Sequence, residues 1–137
     1  MFIIFGLLFA IILAAIFAVF TGLILMLIAP FIADRQPSFG EAWKTMFIAH
    51  IVIGVVQVIV SLIAGPDASP LAAQLAATIA GFITLTIVLA YGLQATLGRA
   101  ALTALVLNVI IFLILVALGF LLAGTAAVSG AVSGANP

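Results

Sequence analysis

The run ADRQPSFGEAWKT occupies residues 33–45 and separates two long apolar stretches of the chain. Charged side chains are costly inside hydrocarbon and collect where a membrane chain reaches water. The run therefore predicts a connection between two spans and the start of the second one. It contains four of the six Asp, Glu, Lys and Arg residues of the sequence: Asp34, Arg35, Glu41 and Lys44.

The composition around this run excludes a water-soluble domain. Of the 137 residues, 69% are hydrophobic and 4% are charged, whereas a soluble domain carries about a quarter charged residues. A span needs roughly 20 apolar residues to cross the hydrocarbon core, and the sequence has room for four. We therefore predict an all-α, polytopic integral membrane protein with a four-transmembrane-helix bundle.

The cysteine count, the net charge and the N-terminal run exclude several kinds of site, partner and targeting segment. The chain has no cysteine, which excludes disulfides, thiolate metal sites and cysteine nucleophiles. Its formal net charge is zero, so we expect no nucleic-acid partner. The first apolar run starts without a basic segment and continues to Ile32. It is longer than the roughly 7–15 residues of a signal-peptide core, so we expect a retained span.

Start and stop signals place the spans at about 3–30, 40–64, 70–97 and 100–123. Pro30 is expected to end the first helix because proline lacks an N–H and crowds the preceding turn. Ser38 and Glu41 form a predicted capping box at the start of the second helix. Gly65 with Pro66 is a stop signal, and Ser69 with Pro70 is a restart signal.

The third and fourth spans are separated only by Gly98 and Arg99. We expect an antiparallel pair joined by a tight turn there. The alternative is one long bent helix, which would far exceed the thickness of a bilayer. After Gly124, the small and polar residues 125–137 are expected to form a short tail.

The basic residues predict the orientation of the spans. With four spans, Arg35, Lys44 and Arg99 share one side, and no Lys or Arg lies on the other. Basic residues near span ends favour the cytoplasm, so both termini are expected to face away from it. This places Asp34, Arg35, Glu41, Lys44 and Arg99 in the cytoplasmic connections, and Trp43 where an interfacial aromatic anchors a span. A second hypothesis is that these charges form a surface for docking a partner.

Polar and small residues recur at helical spacing inside the spans, which predicts faces that contact protein. On this pattern we expect the second, third and fourth helices to pack together, with amides and hydroxyls bonding between helices. The stripe of the second span is Trp43, Phe47, His50, Gly54, Gln57 and Ser61. The stripe of the third is Gln74, Ala77, Gly81, Thr84, Val88 and Tyr91. The stripe of the fourth is Ala101, Ala104, Asn108, Phe112, Leu115 and Gly119.

His50 is the one ionisable group deep in a span, which makes it a functional candidate. We expect a neutral histidine that is hydrogen-bonded to Gln57, Asn108 or a partner subunit. The alternatives are a ligand of a haem or pigment metal, or a proton relay. A haem held by two histidines would need a second one, and the sequence has one.

No catalytic pattern is visible in the sequence. Ser38, Ser61 and Ser69 have no suitable base and carboxylate, no metal-ligand cluster is present, and no glycine-rich phosphate loop follows a strand. We therefore expect no enzymatic activity, no metal and no cofactor.

Residues 37–111, from PSFGEAWKTMFIAHIVIGVV to AYGLQATLGRAALTALVLNVII, resemble the membrane domain of Yip1-family proteins. The resemblance lies in the SFGEA helix start at 38–42, the YGL at 91–93, and the basic turn with its alanine-rich span at 99–104. It implies a non-enzymatic polytopic protein of membrane organisation or trafficking. The family's usual five spans and soluble N-terminal segment are not found in this sequence.

The leading hypothesis is a structural or accessory subunit of a larger membrane protein complex. Its expected partners are the lipid bilayer and other membrane protein subunits, in a bacterial inner membrane or an equivalent one. A second hypothesis is a small transporter or oligomeric channel in which Gln57, Gln74, Thr84 and Asn108 face a cavity. A third is a pigment- or haem-binding subunit that uses His50.

Overall fold

The computed structural model describes residues 2–65 and 69–133, with side chains over 5–65 and 69–123. These residues form four helices, α1 (Phe2–Ile32), α2 (Phe39–Ala64), α3 (Pro70–Gly92) and α4 (Leu97–Ser133). Each is long and apolar enough to cross a membrane, over Phe5–Ile32, Phe39–Ala64, Pro70–Gly92 and Leu97–Ala123. The predicted all-α fold with four transmembrane helices is confirmed.

The predicted caps of α2 and α3 are present. Ser38 and Glu41 form a reciprocal capping box at the start of α2. Gly65 ends α2 with a φ of 71°, a backbone conformation that favours glycine. The hydroxyl of Ser69 accepts from the N–H of Ala72, with Pro70 at the start of α3. Pro66, the other half of the expected stop signal, lies outside the residues that the structure describes.

Pro30 does not end α1, so that prediction was wrong. The helix continues through Pro30 to Ile32, so the one backbone donor that this proline lacks does not stop the helix. The N–H of Ala33 still donates to the carbonyl of Ala29, and Asp34 then turns into the left-handed region with a φ of 60°. The end of α1 is therefore marked by Asp34, the residue that leaves the helical backbone conformation.

The break between α3 and α4 lies at residues 93–96, five residues before the predicted one. Gln94 takes a φ of 50° and its N–H donates to Tyr91, while the N–H of Ala95 donates to Ala90. This pair of bonds is a Schellman motif, here closed by glutamine where glycine is usual. Two helices are therefore present in place of one bent helix. Gly98 and Arg99 lie in the first turn of α4, so placing the turn there was wrong.

Helix α2 packs against both α1 and α3. At Gly22 of α1, an added Cβ would lie 3.3 Å from the backbone of Trp43 on α2. At Gly92 of α3, an added Cβ would overlap the side chain of Thr45 on α2. Glycine permits this approach because it has no side chain to separate the two backbones.

The expected packing of α2 against α3 is confirmed, but the expectation left out α1, which also packs against α2, and that omission was wrong. The expected packing of α4 against α2 and α3 stays a prediction. Small and apolar residues of α1 are buried at helical spacing, namely Ala18, Thr21, Leu25 and Ala29. Together with Gly22, these residues form a face of mostly small side chains, and their helical spacing is visible in the sequence. Periodic small residues permit close helix contact in membranes, and this pattern is the signal that could have identified α1 as a packing partner.

The buried side chains gather near the two connections at 33–38 and 93–96. On α2 they are Ala42, Thr45, Met46 and Ala49. On α3 they are Leu85 and Leu89, followed by Leu93, and on the first turns of α4 they are Ala100, Thr103, Ala104 and Leu107. We call this part of the molecule the packed end. The charged connections therefore lie beside the best-packed region.

The chain divides into two units, Met1–Leu107 and Asn108–Pro137. The packed end belongs to the first unit. In the second unit, α4 continues as one helix to Ser133, and most of its side chains up to Ala123 are exposed. The candidate span is described up to Ala123, and the helical backbone of α4 continues to Ser133.

Candidate functional site

The capping box at the start of α2 is the centre of the charged connection. The N–H of Ser38 donates to Oε2 of Glu41 at 2.9 Å, and its hydroxyl donates to the same oxygen at 3.1 Å. The hydroxyl oxygen in turn accepts from the N–H of Glu41 at 3.3 Å. The N–H groups of Ser38 and Glu41 are thus satisfied locally, and the carboxylate accepts two hydrogen bonds from Ser38.

Arg35 links this box to the end of α3. Its Nη2 is 3.4 Å from Oε1 of Glu41, and its Nη1 donates to the main-chain carbonyl of Leu93 at 3.2 Å. The last carbonyls of a helix have no intrahelical donor and carry partial negative charge. A guanidinium can bond two acceptors at once because its donors form a planar fork. Arg35 therefore joins the α1–α2 connection to the C-terminus of α3.

A second ion pair reaches the first turn of α4. Nη1 of Arg99 lies 3.4 Å from Oδ2 of Asp34. We call Asp34, Arg35, Glu41 and Arg99 the charged cap. Its ion pairs are solvent-accessible, so each pair by itself contributes little to stability. Together the two pairs join the connection at 33–38 to α2 and to α4. This supports a structural role for the charges of residues 33–45. Lys44 is exposed beside this set.

Trp43 packs against α1 as well as marking the end of a span. Its ring stacks on Phe47 with centroids 5.3 Å apart and an angle of 8°. Its indole N–H donates to the main-chain carbonyl of Ala15 at 3.3 Å. Buried indoles need such an acceptor, so the hydrogen bond fixes the side chain at the α1–α2 contact.

His50 also faces α1. It is half-buried, and its ring centroid lies 6.4 Å from that of Phe17. Nδ1 is buried without a hydrogen-bond partner, so the expected bond to Gln57 or Asn108 is not found for that atom. The prediction had placed His50 towards α3 and α4, whereas the α1–α2 crossing turns it towards Phe17.

The predicted stripe on α2 lies beside the buried face. Ala42, Met46 and Ala49 each precede a stripe residue by one position, which is about 100° of rotation around a helix. Gly54, Gln57 and Ser61 are consequently exposed, while Trp43 and His50 are half-buried against α1. The buried face of α2 consists instead of alanine, threonine and methionine.

The other predicted stripe residues are distributed between packed and exposed positions. Gly81 approaches α2, since an added Cβ would lie 3.8 Å from Ile53. Thr84 is half-buried, Gln74 is exposed, and Tyr91 is 82% exposed. Asn108 is exposed and belongs to the second unit.

Hydroxyl groups in the spans bond within their own helices, against the expectation of bonds between helices. Thr45 donates to the carbonyl of Glu41 and Thr103 to that of Arg99, each at 2.8 Å. This back-bonding to the residue four positions earlier satisfies a hydroxyl without a partner helix. The same bond is made by Thr21, Ser61, Thr78, Thr84 and Thr86.

The part of the chain that the structure describes contains no group of three or more His, Cys, Asp or Glu that could hold a metal ion. Comparison with known proteins finds no matching family model, no matching curated protein and no matching solved structure. The class that the fold defines is a polytopic membrane protein. The resemblance to Yip1-family proteins stays a prediction.

Proposed function

We propose that this chain is a non-catalytic subunit, structural or accessory, of a larger membrane protein complex. The observation that carries the proposal is the position of two side-chain amides. Gln57 and Gln74 are exposed on the surfaces of helices that are apolar enough to span a membrane. An amide in hydrocarbon without a hydrogen-bond partner is costly. A protein neighbour would supply that partner, and lipid tails would not.

The charged residues support a structural role. The charged cap is engaged in ion pairs and capping bonds between elements of this chain. It lies beside the packed end, where Leu93 and Thr103 are buried. These bonds hold the connection at 33–38 against α2, α3 and α4, which is what a structural role requires.

Purification of the tagged chain in mild detergent tests the proposal. We expect other membrane proteins to co-purify in fixed proportion, as measured by quantitative mass spectrometry, and no visible absorption band from the chain itself. Gln57→Leu and Gln74→Leu should lower the yield of the complex, since interhelical bonds contribute about 0.6–2 kcal/mol each. Gln36→Leu is the matched control, because this exposed glutamine lies in the connection outside the spans.

Two results would contradict the proposal. A chain that purifies alone from native membranes would show that it is not a subunit. Solute flux through the purified chain in liposomes, abolished by Gln57→Leu and retained in Gln36→Leu, would show that the chain is a transporter.

A further inference from the structure

A short stretch at the start of α2 recurs at the start of α4. It reads SFGEAWKT at residues 38–45 and TLGRAALT at residues 96–103. In each stretch, a hydroxyl residue is followed by a large apolar residue, glycine, a charged residue and alanine, and threonine comes three positions after the alanine. Repeats in membrane proteins are visible as weak internal similarity of this kind. The two stretches therefore suggest a comparison of the α1–α2 hairpin with the α3–α4 hairpin.

The recurring stretches begin their helices with the same bonds. The N–H of Ala42 donates to the carbonyl of Ser38, and the N–H of Ala100 donates to that of Thr96, each at 2.9 Å. The final threonine of each stretch is buried, and its hydroxyl donates at 2.8 Å to the carbonyl of the charged residue four positions earlier. Matching sequence positions thus make matching bonds in the two helices.

The helices that precede these stretches also end alike. Asp34 after α1 and Gln94 after α3 have φ values of 60° and 50°, a conformation that is uncommon for residues other than glycine. In both cases the preceding residue donates its N–H to the carbonyl four positions earlier. The two connections, residues 33–38 and 93–96, differ in length by two residues. An uncommon backbone conformation therefore lies at the same place in both hairpins.

The burial of side chains extends the match to the tertiary structure. Exposed, half-buried and buried positions follow the same order, residue by residue, over 23–36 and 83–96, and again over 39–46 and 97–104. All of these residues belong to the first unit, Met1–Leu107. Burial depends on neighbours in space as well as on the local sequence. The agreement therefore indicates that the two hairpins place equivalent faces against the protein.

We propose that the chain is an internal repeat of one two-span hairpin, and that the surface of each hairpin at the packed end binds the equivalent surface of the other. This inference does not depend on the proposed function. With two spans in each copy, both hairpins enter the membrane from the same side, as in parallel repeats related by an axis along the membrane normal. Helix α2 packs against α3, and the ion pair of Asp34 with Arg99 joins the first hairpin to the second.

The repeat assigns a contact between α1 and α4. Gly92 of α3 approaches Thr45 of α2, since an added Cβ would lie 3.0 Å from the Cβ of Thr45. An axis that exchanges the hairpins relates Thr45 to Thr103 and Gly92 to Ile32. Thr103 should therefore lie against Ile32 at the end of α1. Thr103 is buried, and Ile32 is half-buried like Gly92, as this contact requires.

Cysteine pairs in the chain, which has no cysteine of its own, test this contact. Under mild oxidation we expect Ile32→Cys with Thr103→Cys to form an intrachain disulfide, which needs Cβ atoms about 3.5–4.5 Å apart. Thr45→Cys with Gly92→Cys is the reference pair, because it joins residues that already approach each other. Phe31→Cys with Thr103→Cys is the matched control, because Phe31 is 89% exposed and lies about 100° around α1 from Ile32.

Mass spectrometry of the linked peptides should find the disulfide in the test and reference pairs and its loss in the control pair. Equal linking of the test and control pairs would overturn the repeat. So would the absence of the test link in a chain that forms the reference link.

A second test keeps the proposal open to contradiction if the cysteine variants do not fold. Gly22 lies against the backbone of Trp43 in the first hairpin, and the equivalent positions of the second are Phe82 and Ala101, so small and large residues are exchanged. Ala101→Phe should lower the midpoint of unfolding by SDS, because overpacking destabilises. Adding Phe82→Ala should reverse part of that shift, and adding Ile83→Ala, the neighbouring control, should not. No reversal by Phe82→Ala, or equal reversal by the control, would overturn the equivalence of the hairpins.

Discussion

Gly92 is the position where one methyl group tests the packing of α2 against α3. A Cβ there would lie 2.5 Å from Oγ1 of Thr45 and 3.0 Å from its Cβ, both too close for non-bonded atoms. Thr45 cannot move aside cheaply, because it is buried and β-branched, and its hydroxyl donates to Glu41. We therefore expect Gly92→Ala to displace the end of α3 and destabilise the fold.

The size of the effect follows from two opposing contributions. Overpacking of this kind costs about 1–3 kcal/mol, and replacing a helical glycine by alanine recovers about 1 kcal/mol. The net destabilisation should thus be about 1 kcal/mol. Thr45→Ala removes the two closest atoms, Oγ1 and Cγ2, and leaves the Cβ contact at 3.0 Å, so the double variant should recover part of the loss, with a favourable coupling of about 1 kcal/mol between the two positions.

The free energy of unfolding can be measured by titration with SDS in mixed micelles. Far-UV circular dichroism reports the helices, and the fluorescence of Trp43, the one tryptophan of the chain, reports the α1–α2 contact. Gly98→Ala is the control, since an added Cβ there meets no atom within 4 Å, and it should be neutral or slightly stabilising. A Gly92→Ala protein as stable as the wild type, with no coupling to Thr45→Ala, would refute the close approach of α2 and α3.

The charged cap, the histidine and the topology yield three further expectations. Arg35→Gln should destabilise the protein by about 1–2 kcal/mol in the same titration, because it loses a bond to a main-chain carbonyl of α3 as well as an ion pair. Arg99→Gln, which loses only an exposed pair, should cost less than about 0.5 kcal/mol, and the reverse order would contradict the role of Arg35. His50→Gln should leave assembly and the absorption spectrum of the purified complex unchanged, and selective loss of a visible band would show that His50 binds a cofactor. Single cysteines at Gln36 and Ala68 should react from opposite sides of sealed vesicles, and reaction from the same side would contradict four spans.

The sequence by itself determined the features that depend on neighbours along the chain. Long apolar runs specify spans because backbone groups in hydrocarbon must bond within their own segment. The box of Ser38 and Glu41 and the cap of Ser69 were predictable because each involves residues only three positions apart. The helix ends at Asp34 and Gln94 were missed, because both use non-glycine residues in a conformation that usually marks glycine.

The tertiary structure alone decided which helices pack together and which faces they bury. The sequence shows the small residues of α1 and the stripe of α2 with equal clarity. Only the approach of Gly22 to Trp43 and of Gly92 to Thr45 selects the buried face. The physical reason is that lipid tails are as apolar as leucine, so hydrophobicity does not distinguish one helix face from another. Close backbone approach does distinguish them, and it depends on pairs of residues far apart in the chain.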